Sequence, residues 1–257
     1  MKRISVLLTC WALLLVWLPV GAKVRVAGID QARGQHGMVA SNSEIASHVG
    51  VEVMQKGGNA IDAAIAVGLA LEVVYPYAGN IGGGGFMMIR KKDGTATAID
   101  YREMAPKAAF RDVYLDKDGQ LIKGEGGSIL GYRSSGVPGT LAGFDLAFRK
   151  YGSGKLKWAD LVRPARRLAE TGFPVPYSFA RSTESYKESL SQYEDSKKIF
   201  LNGGRMFTEG ESLVQPELAQ TLKRIEQQGA KEFYTGKTAQ LIAADMKAHN
   251  GLITLED

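Results

Sequence analysis

The chain has 257 residues, of which 45% are hydrophobic and 23% are charged. This composition is typical of a globular protein long enough to bury a core in one or two domains, and it argues against disorder. The formal net charge is +5, and removing the two positive charges of Lys2 and Arg3 leaves +3. Because the remaining basic residues are interleaved with acidic ones, no nucleic-acid partner is expected.

The first 22 residues have the pattern of a cleaved secretory signal. The basic start Met1-Lys2-Arg3 precedes an apolar run over residues 4–20, and Val20-Gly21-Ala22 is a small-residue cleavage site. The mature chain is expected to begin near Lys23 and to be periplasmic or secreted. An uncleaved membrane anchor is the alternative, since the run approaches spanning length, but Pro19 favours cleavage.

Cysteine and histidine are too sparse to predict a disulfide or a metal site. Cys10 is the only cysteine and lies inside the predicted signal. The histidines His36, His48 and His249 are far apart and lack partners at metal-ligand spacing, and His36 is expected to be a hydrogen-bonding residue near the core. We therefore expect no metal and no cofactor.

Two helices are predicted before residue 76. The first spans about 44–56, and Ser41-Asn42-Ser43 supplies its cap residues. The second begins at Asn59, which can form a capping box with Asp62, and residues 63–71 contain no polar side chain. A helix that is apolar on every side is expected to be buried on every side.

Four consecutive glycines, Gly82–Gly85, precede a predicted β-hairpin. Its strands are expected over 86–90 and 95–101, with Asp93-Gly94 in the turn. The order of helices, glycines and hairpin indicates a layered α/β (α+β) arrangement in which two helices cover one face of an antiparallel sheet. Since the glycines lead into a strand and lack G-K-[ST], they fit neither phosphate-binding motif. They form either a close structural contact or the wall of a ligand cleft.

Beyond the hairpin, residues 106–138 are expected to form a long surface connection. Residues 177–198 are polar and carry both signs of charge, which predicts exposed helical or irregular structure. The chain closes on Thr254-Leu255-Glu256-Asp257, a capping-box pattern with no helix after it, which indicates a chain cut short of its natural end. Four further helices are predicted over about 141–151, 158–171, 216–228 and 238–250.

Arg102 is the candidate ligand-binding residue. It follows the second predicted strand and offers a planar fork of donors that suits bidentate binding of a carboxylate. The plainer alternative is a salt bridge to Asp100 or Glu103. No G-x-S-x-G elbow and no mature cysteine is present, so the chain shows no convincing nucleophile and no catalytic residue is assigned.

Five blocks of the sequence, in order, resemble the γ-glutamyltransferase (γ-glutamyltranspeptidase) family. They are A-R-G-Q-H-G-M-V-A-S at 32–41, G-G-N-A-I-D-A-A at 57–64, G-N-I-G-G-G-G-F-M at 79–87, D-Y-R-E-M-A-P at 100–106 and G-V-P-G-T at 136–140. The resemblance continues weakly to residue 254. It implies a four-layer αββα N-terminal-nucleophile hydrolase fold, made as a precursor that cleaves itself into a large and a small subunit. The nucleophile is then the threonine that starts the small subunit.

The resemblance also implies roles for this chain. Arg102 would hold the α-carboxylate of a γ-glutamyl group, with glutathione-like compounds as donors and water or an amino acid or peptide amine as acceptor. The family's Thr-Thr-His block has no counterpart here, so residues 23–257 are expected to be a partial large subunit that lacks its small subunit and is inactive alone. Two alternatives are a non-catalytic relative that binds γ-glutamyl compounds or a partner protein, and an acylase or poly-γ-glutamate enzyme.

Overall fold

A computed structural model of the protein describes residues 33–79 and 81–257, and residues 37–257 form one unit. The predicted signal peptide, with Cys10 and the possible anchor, lies outside the described residues. In the described ranges, no helix is both long and apolar enough to cross a bilayer.

The helices in the described ranges follow the predicted order. They are α1 (Glu44–Gln55), α2 (Ala60–Val74), α3 (Thr140–Tyr151), α4 (Trp158–Thr171), α5 (Tyr177–Thr183), α6 (Lys187–Ser191), α7 (Glu194–Phe200), α8 (Pro216–Gln228), α9 (Lys231–Thr235) and α10 (Lys237–Ala248). The predictions for α1, α2, α3, α4, α8 and α10 are confirmed to within about two residues at each end. The polar stretch 177–198 is largely helical, in three short pieces, whereas α9 was not predicted.

Six strands form three two-stranded antiparallel sheets in the described residues. They are β1 (Phe86–Arg90), β2 (Ala96–Asp100), β3 (Phe173–Pro174), β4 (Leu201–Asn202), β5 (Arg205–Met206) and β6 (Ser212–Leu213), paired β1–β2, β3–β6 and β4–β5. The predicted hairpin is therefore confirmed, and Gly94 occupies the left-handed region of its turn, with φ of 87°. The two-residue strands are too short to show an alternating pattern in the sequence.

The buried core lies where α2 packs against α1, α3 and α4. Asn59 accepts hydrogen bonds from the backbone N–H groups of Ile61 and Asp62, while Asp62 accepts one from the backbone of Asn59, so the predicted capping box is present. Ile65 and Leu69 are fully buried on this helix. The prediction that α2 is buried on every side is confirmed for most of the helix, but Ala64 is exposed and Gly68 and Leu71 are half-buried along one stripe.

One face of the β1–β2 hairpin joins this core. Ile89 and Ile99 are buried and belong to the core cluster, whereas Phe86 and Met88, on the opposite face, are 60% and 76% exposed. In the register of the hairpin, Phe86 lies opposite Asp100 and Met88 opposite Ala98. The hairpin therefore packs one face on the core and leaves the other open, and this open face carries Phe86 and Met88 with the charged Arg90 and Asp100 at its ends.

A charged network joins α4 to α8. Glu226 accepts from the Nε atoms of both Arg163 (2.9 Å) and Arg166 (2.5 Å), and its side chain is largely buried. The Gln215 side chain also donates to the carbonyl of Val73 at 2.9 Å, which ties the start of α8 to the end of α2. These contacts hold α8 against both α4 and α2.

Glu72, on α2, carries a buried carboxyl group. Its Oε2 atom has no hydrogen-bond partner among the described residues, and burial raises its pKa well above the usual value. The phenol groups of Tyr101 and Tyr234 lie close enough for the Glu72 charge to raise their pKa values further, after burial, which is the larger cause. The neutral form of Glu72 is therefore favoured in the folded protein.

We predict that Glu72 makes the protein less stable as the pH rises. A carboxyl group with a higher pKa in the folded state binds more protons when folded, so its stabilising effect is complete below the unfolded pKa and disappears as the pH rises through the folded pKa. In urea denaturation at a series of pH values, Glu72→Gln should lose this fall in the free energy of unfolding. Glu188→Gln, at an exposed position, is the control, and an unchanged pH slope in Glu72→Gln would contradict the prediction.

Candidate substrate-binding site

Arg102 lies two residues beyond the end of β2, with its guanidinium in solvent. Its backbone N–H donates to Asp100 Oδ1 at 3.0 Å, and its Nε lies 3.6 Å from Glu103 Oε2. The Arg102 side chain is 69% exposed, and within the described ranges Glu103 is its sole ion-pair partner. An exposed pair at this distance is weak, so the fork of donors remains accessible to a ligand.

The glycine ribbon, residues Gly82–Gly85, lies directly against the backbone that carries Arg102. Gly85 and Tyr101 exchange backbone hydrogen bonds of 3.3 and 3.0 Å, which extends the hairpin pairing beyond β1 and β2. A Cβ atom on Gly84 would lie 2.5 Å from the carbonyl oxygen of Tyr101 and 2.7 Å from the backbone nitrogen of Glu103. The ribbon therefore makes the close structural contact that its composition allows, and it makes it at the candidate site.

The glycine ribbon is also hydrogen-bonded to the beginning of α3. The Gly83 carbonyl accepts from the backbone N–H groups of both Gly139 (2.8 Å) and Thr140 (3.0 Å). Met104 and Val137 also pair in an antiparallel bridge. The backbone is therefore paired on both sides of Arg102, with Gly85 at Tyr101 and with Val137 at Met104. The G-V-P-G-T block at 136–140 is thus brought beside the R-E-M-A-P block at 102–106, although residues 107–135 separate the two in sequence.

Tyr234, on α9, makes two hydrogen bonds to the beginning of α3. Its hydroxyl donates to the carbonyl of Pro138 at 3.1 Å and accepts from the backbone N–H of Ala142 at 3.0 Å. A phenol is neutral at neutral pH and therefore has a proton to donate, and burial raises the pKa of Tyr234 further above its usual value. The sequence carried no signal for Tyr234, because its partners are about 90 residues away.

The described residues form no metal site, since no group of three His, Cys, Asp or Glu side chains is placed to hold an ion. His48 is paired with Glu44 at 3.6 Å, and His249 caps the end of α10 and stacks on Tyr132 with ring centroids 4.2 Å apart. His36 is exposed, so the expectation that it lies near the core is wrong. These contacts of His48 and His249 do not involve Arg102.

Comparison with known proteins decides the family. The model of the γ-glutamyltranspeptidase family matches residues 46–257. The chain belongs to this family. The glutathione hydrolase proenzyme of Escherichia coli K12 is 46% identical over 240 residues, and that of Pseudomonas sp. strain A14 is 48% identical over 238. The alignments cover 93% and 91% of this chain but 41% and 40% of those proteins, so the chain spans about two fifths of their length.

Solved structures agree with this assignment and give the fold. The γ-glutamyltranspeptidase of Helicobacter pylori superimposes with a TM-score of 0.84 at 43% identity, covering 88% of this chain and 64% of that one. The transpeptidase CapD of Bacillus anthracis follows at 0.69 and 36%, covering 87% and 67%. The α+β architecture is that of the N-terminal-nucleophile hydrolases, as the resemblance implied.

We predict that Tyr234→Phe destabilises the protein by about 0.5–2 kcal/mol, since it removes two hydrogen bonds, of which the one to the Pro138 carbonyl is partly buried while the exposed N–H of Ala142 can bond to water instead. The free energy of unfolding from urea denaturation measures the loss. Tyr177→Phe, which removes an exposed hydroxyl, is the matched control and should change little. Equal losses in the two variants would show that the bridge from α9 to α3 contributes nothing.

Proposed function

We propose that this segment forms the carboxylate-binding wall of an exported enzyme that cleaves γ-glutamyl amide bonds, with glutathione-like compounds as donors. Family membership and the relatives named glutathione hydrolase support the reaction class. The observation that carries the proposal for this chain is the placement of Arg102, whose backbone is held by the glycine ribbon while its guanidinium faces solvent.

In the proposed reaction, Arg102 binds the α-carboxylate of the donor through paired N–H···O bonds. A threonine at the start of the small subunit attacks the γ-carbonyl, with its own α-amino group as the base. The C–N bond breaks, the amine leaves with a proton, and a γ-glutamyl ester remains on the threonine. Water or an acceptor amine then attacks this ester and restores the hydroxyl. This chain would supply binding and orientation, while the nucleophile comes from the small subunit.

The open face of the β1–β2 hairpin supports a small-subunit partner. Phe86 and Met88 are exposed on it, and Met104, just beyond Arg102, is 73% exposed. Exposed apolar patches of this kind mark surfaces that another protein element covers. We propose that the second sheet of the four-layer fold, contributed by the small subunit, packs on this face and brings the threonine to the donor held by Arg102.

We predict that Arg102→Ala, in the complete enzyme that contains this segment, raises KM for γ-glutamyl donors by one to a few orders of magnitude. Hydrogen bonds to a charged group contribute about 1.5–3 kcal/mol each, so loss of a bidentate pair weakens donor binding strongly. Arg102→Lys should restore only part of the affinity, because an ammonium group keeps the charge without the planar fork. Steady-state kinetics with γ-glutamyl-p-nitroanilide measures both variants.

A donor without the α-carboxylate provides the matched control. For 4-aminobutanoyl-p-nitroanilide, which keeps the amine and the amide, wild type and Arg102→Ala should have the same KM. If Arg102→Ala leaves the γ-glutamyl KM unchanged, the assignment of Arg102 is wrong. If the wild-type enzyme prefers the donor without the carboxylate, the acylase alternative replaces the proposed donor class.

Export is the second testable part of the proposal. We predict that N-terminal sequencing of the protein recovered from the periplasm or medium of its host begins near Lys23. Leu14→Arg, which interrupts the apolar run, should leave the protein inside the cell with Met1 or its successor as the first residue. A protein that stays in the membrane fraction with residues 1–22 attached would instead support the anchor.

A further inference from the structure

We infer that Gly139 and Gly143 of the α3 region, together with Tyr101, are positioning residues for Arg102. They fix where the guanidinium lies relative to the substrate carboxylate, although none of them is placed to bind the substrate. The inference rests on the proposed function, because it concerns the same donor site. The position of Arg102 depends on its backbone contacts, because its exposed side chain makes only a weak ion pair, with Glu103, among the described residues.

Two glycines contact the backbone around Arg102. The first is Gly84, whose missing Cβ leaves room for the Tyr101 carbonyl and the Glu103 N–H. The second is Gly139, where a Cβ would lie 2.8 Å from the carbonyl carbon of Tyr101 and closer still to its oxygen. Real Cβ atoms do not approach backbone atoms this closely, so both positions require glycine.

The Tyr101 ring anchors the same peptide in the core. It lies over Gly143, where a Cβ would be 2.5 Å from the Cβ of Tyr101, and it meets Phe144 edge to face at 5.7 Å between centroids. Phe144 in turn fills the space left by Gly68 of α2, where a Cβ would come within 2.5 Å of its ring. Arg102 is therefore the next residue after a side chain wedged between the hairpin and α3.

The consequence for binding follows from geometry. A side chain at Gly143 must push the Tyr101 ring outward, and the Arg102 backbone moves with it because the peptide is rigid. A displacement of about 1 Å at a substrate-positioning group can cost up to about 100-fold in reactivity. The loss should be confined to donors that use the α-carboxylate, since the amide-cleaving groups lie on the small subunit in the proposed enzyme.

The test is a double-mutant cycle between Gly143 and Arg102 in the complete enzyme. Gly143→Ala is expected to raise KM for γ-glutamyl-p-nitroanilide about tenfold with kcat less affected, and to leave KM for 4-aminobutanoyl-p-nitroanilide unchanged. In the Arg102→Ala background, Gly143→Ala should have no further effect on KM, because the group that it displaces is gone.

A matched control separates positioning from loss of stability. Gly50 of α1 is equally crowded, since a Cβ there would lie 2.6 Å from Val67 Cγ2, but it is not in contact with the Arg102 segment. Gly50→Ala should lower the thermal midpoint while leaving KM at the wild-type value. An equal rise of KM in Gly50→Ala and Gly143→Ala would overturn the inference.

A second pair of variants covers the case in which Gly143→Ala does not fold. Tyr101→Ala removes the wedge and should also raise the γ-glutamyl KM, whereas Tyr101→Phe keeps the ring and loses one marginal contact to the Phe86 carbonyl at 3.5 Å, so its KM should be unchanged. A wild-type KM in Tyr101→Ala, or a Gly143→Ala effect that persists without Arg102, would overturn the inference. If Arg102→Ala itself leaves KM unchanged, the proposed function fails instead.

Discussion

The contact on which the site depends is backbone against backbone. The strand end that carries Arg102 contacts both the glycine ribbon and the start of α3, and the carbonyl of Gly83 joins these two neighbours by accepting from both Gly139 and Thr140. Neither the contact at Gly84 nor the contact at Gly139 has room for an added methyl group. The position of the arginine is therefore set by main-chain atoms, which move less freely than any side chain.

The enclosed helix α2 has a cost as well as a benefit. Its apolar surface holds α1, α3 and α4 together, yet the same enclosure buries the carboxyl group of Glu72, whose Oε2 has no hydrogen-bond partner among the described residues. Removing such a group from water disfavours its charged form. The Glu226 carboxylate is less deeply buried, and two arginines bind it where α4 meets α8. The two carboxyl groups therefore differ both in burial and in having a charged partner.

Local signals in the sequence predicted most of the longer elements. The capping box at Asn59, the apolar run of α2 and the Asp-Gly turn act over fewer than ten residues, so each was readable without the fold. The sequence places Arg102 just after a predicted strand and close to the four glycines, and the structure confirms this placement. Its role in binding a carboxylate stays a prediction. Tyr234 and Gly143 escaped prediction because their roles depend on contacts with residues 42 to 96 positions away. Only tertiary packing creates those contacts.

The crowded glycines differ in a way that has a genetic consequence. Gly68 faces the far end of the Phe144 ring, so a smaller side chain at residue 144 could make room for an added methyl group. Gly143 faces the Cβ atom of Tyr101, which every residue except glycine carries, and Gly84 and Gly139 face backbone carbonyl and amide groups. A methyl group added at Gly68 should therefore have second-site suppressors at Phe144, whereas no ordinary side-chain replacement removes the atoms that Gly84, Gly139 and Gly143 contact. The two classes of glycine would separate in a suppressor screen.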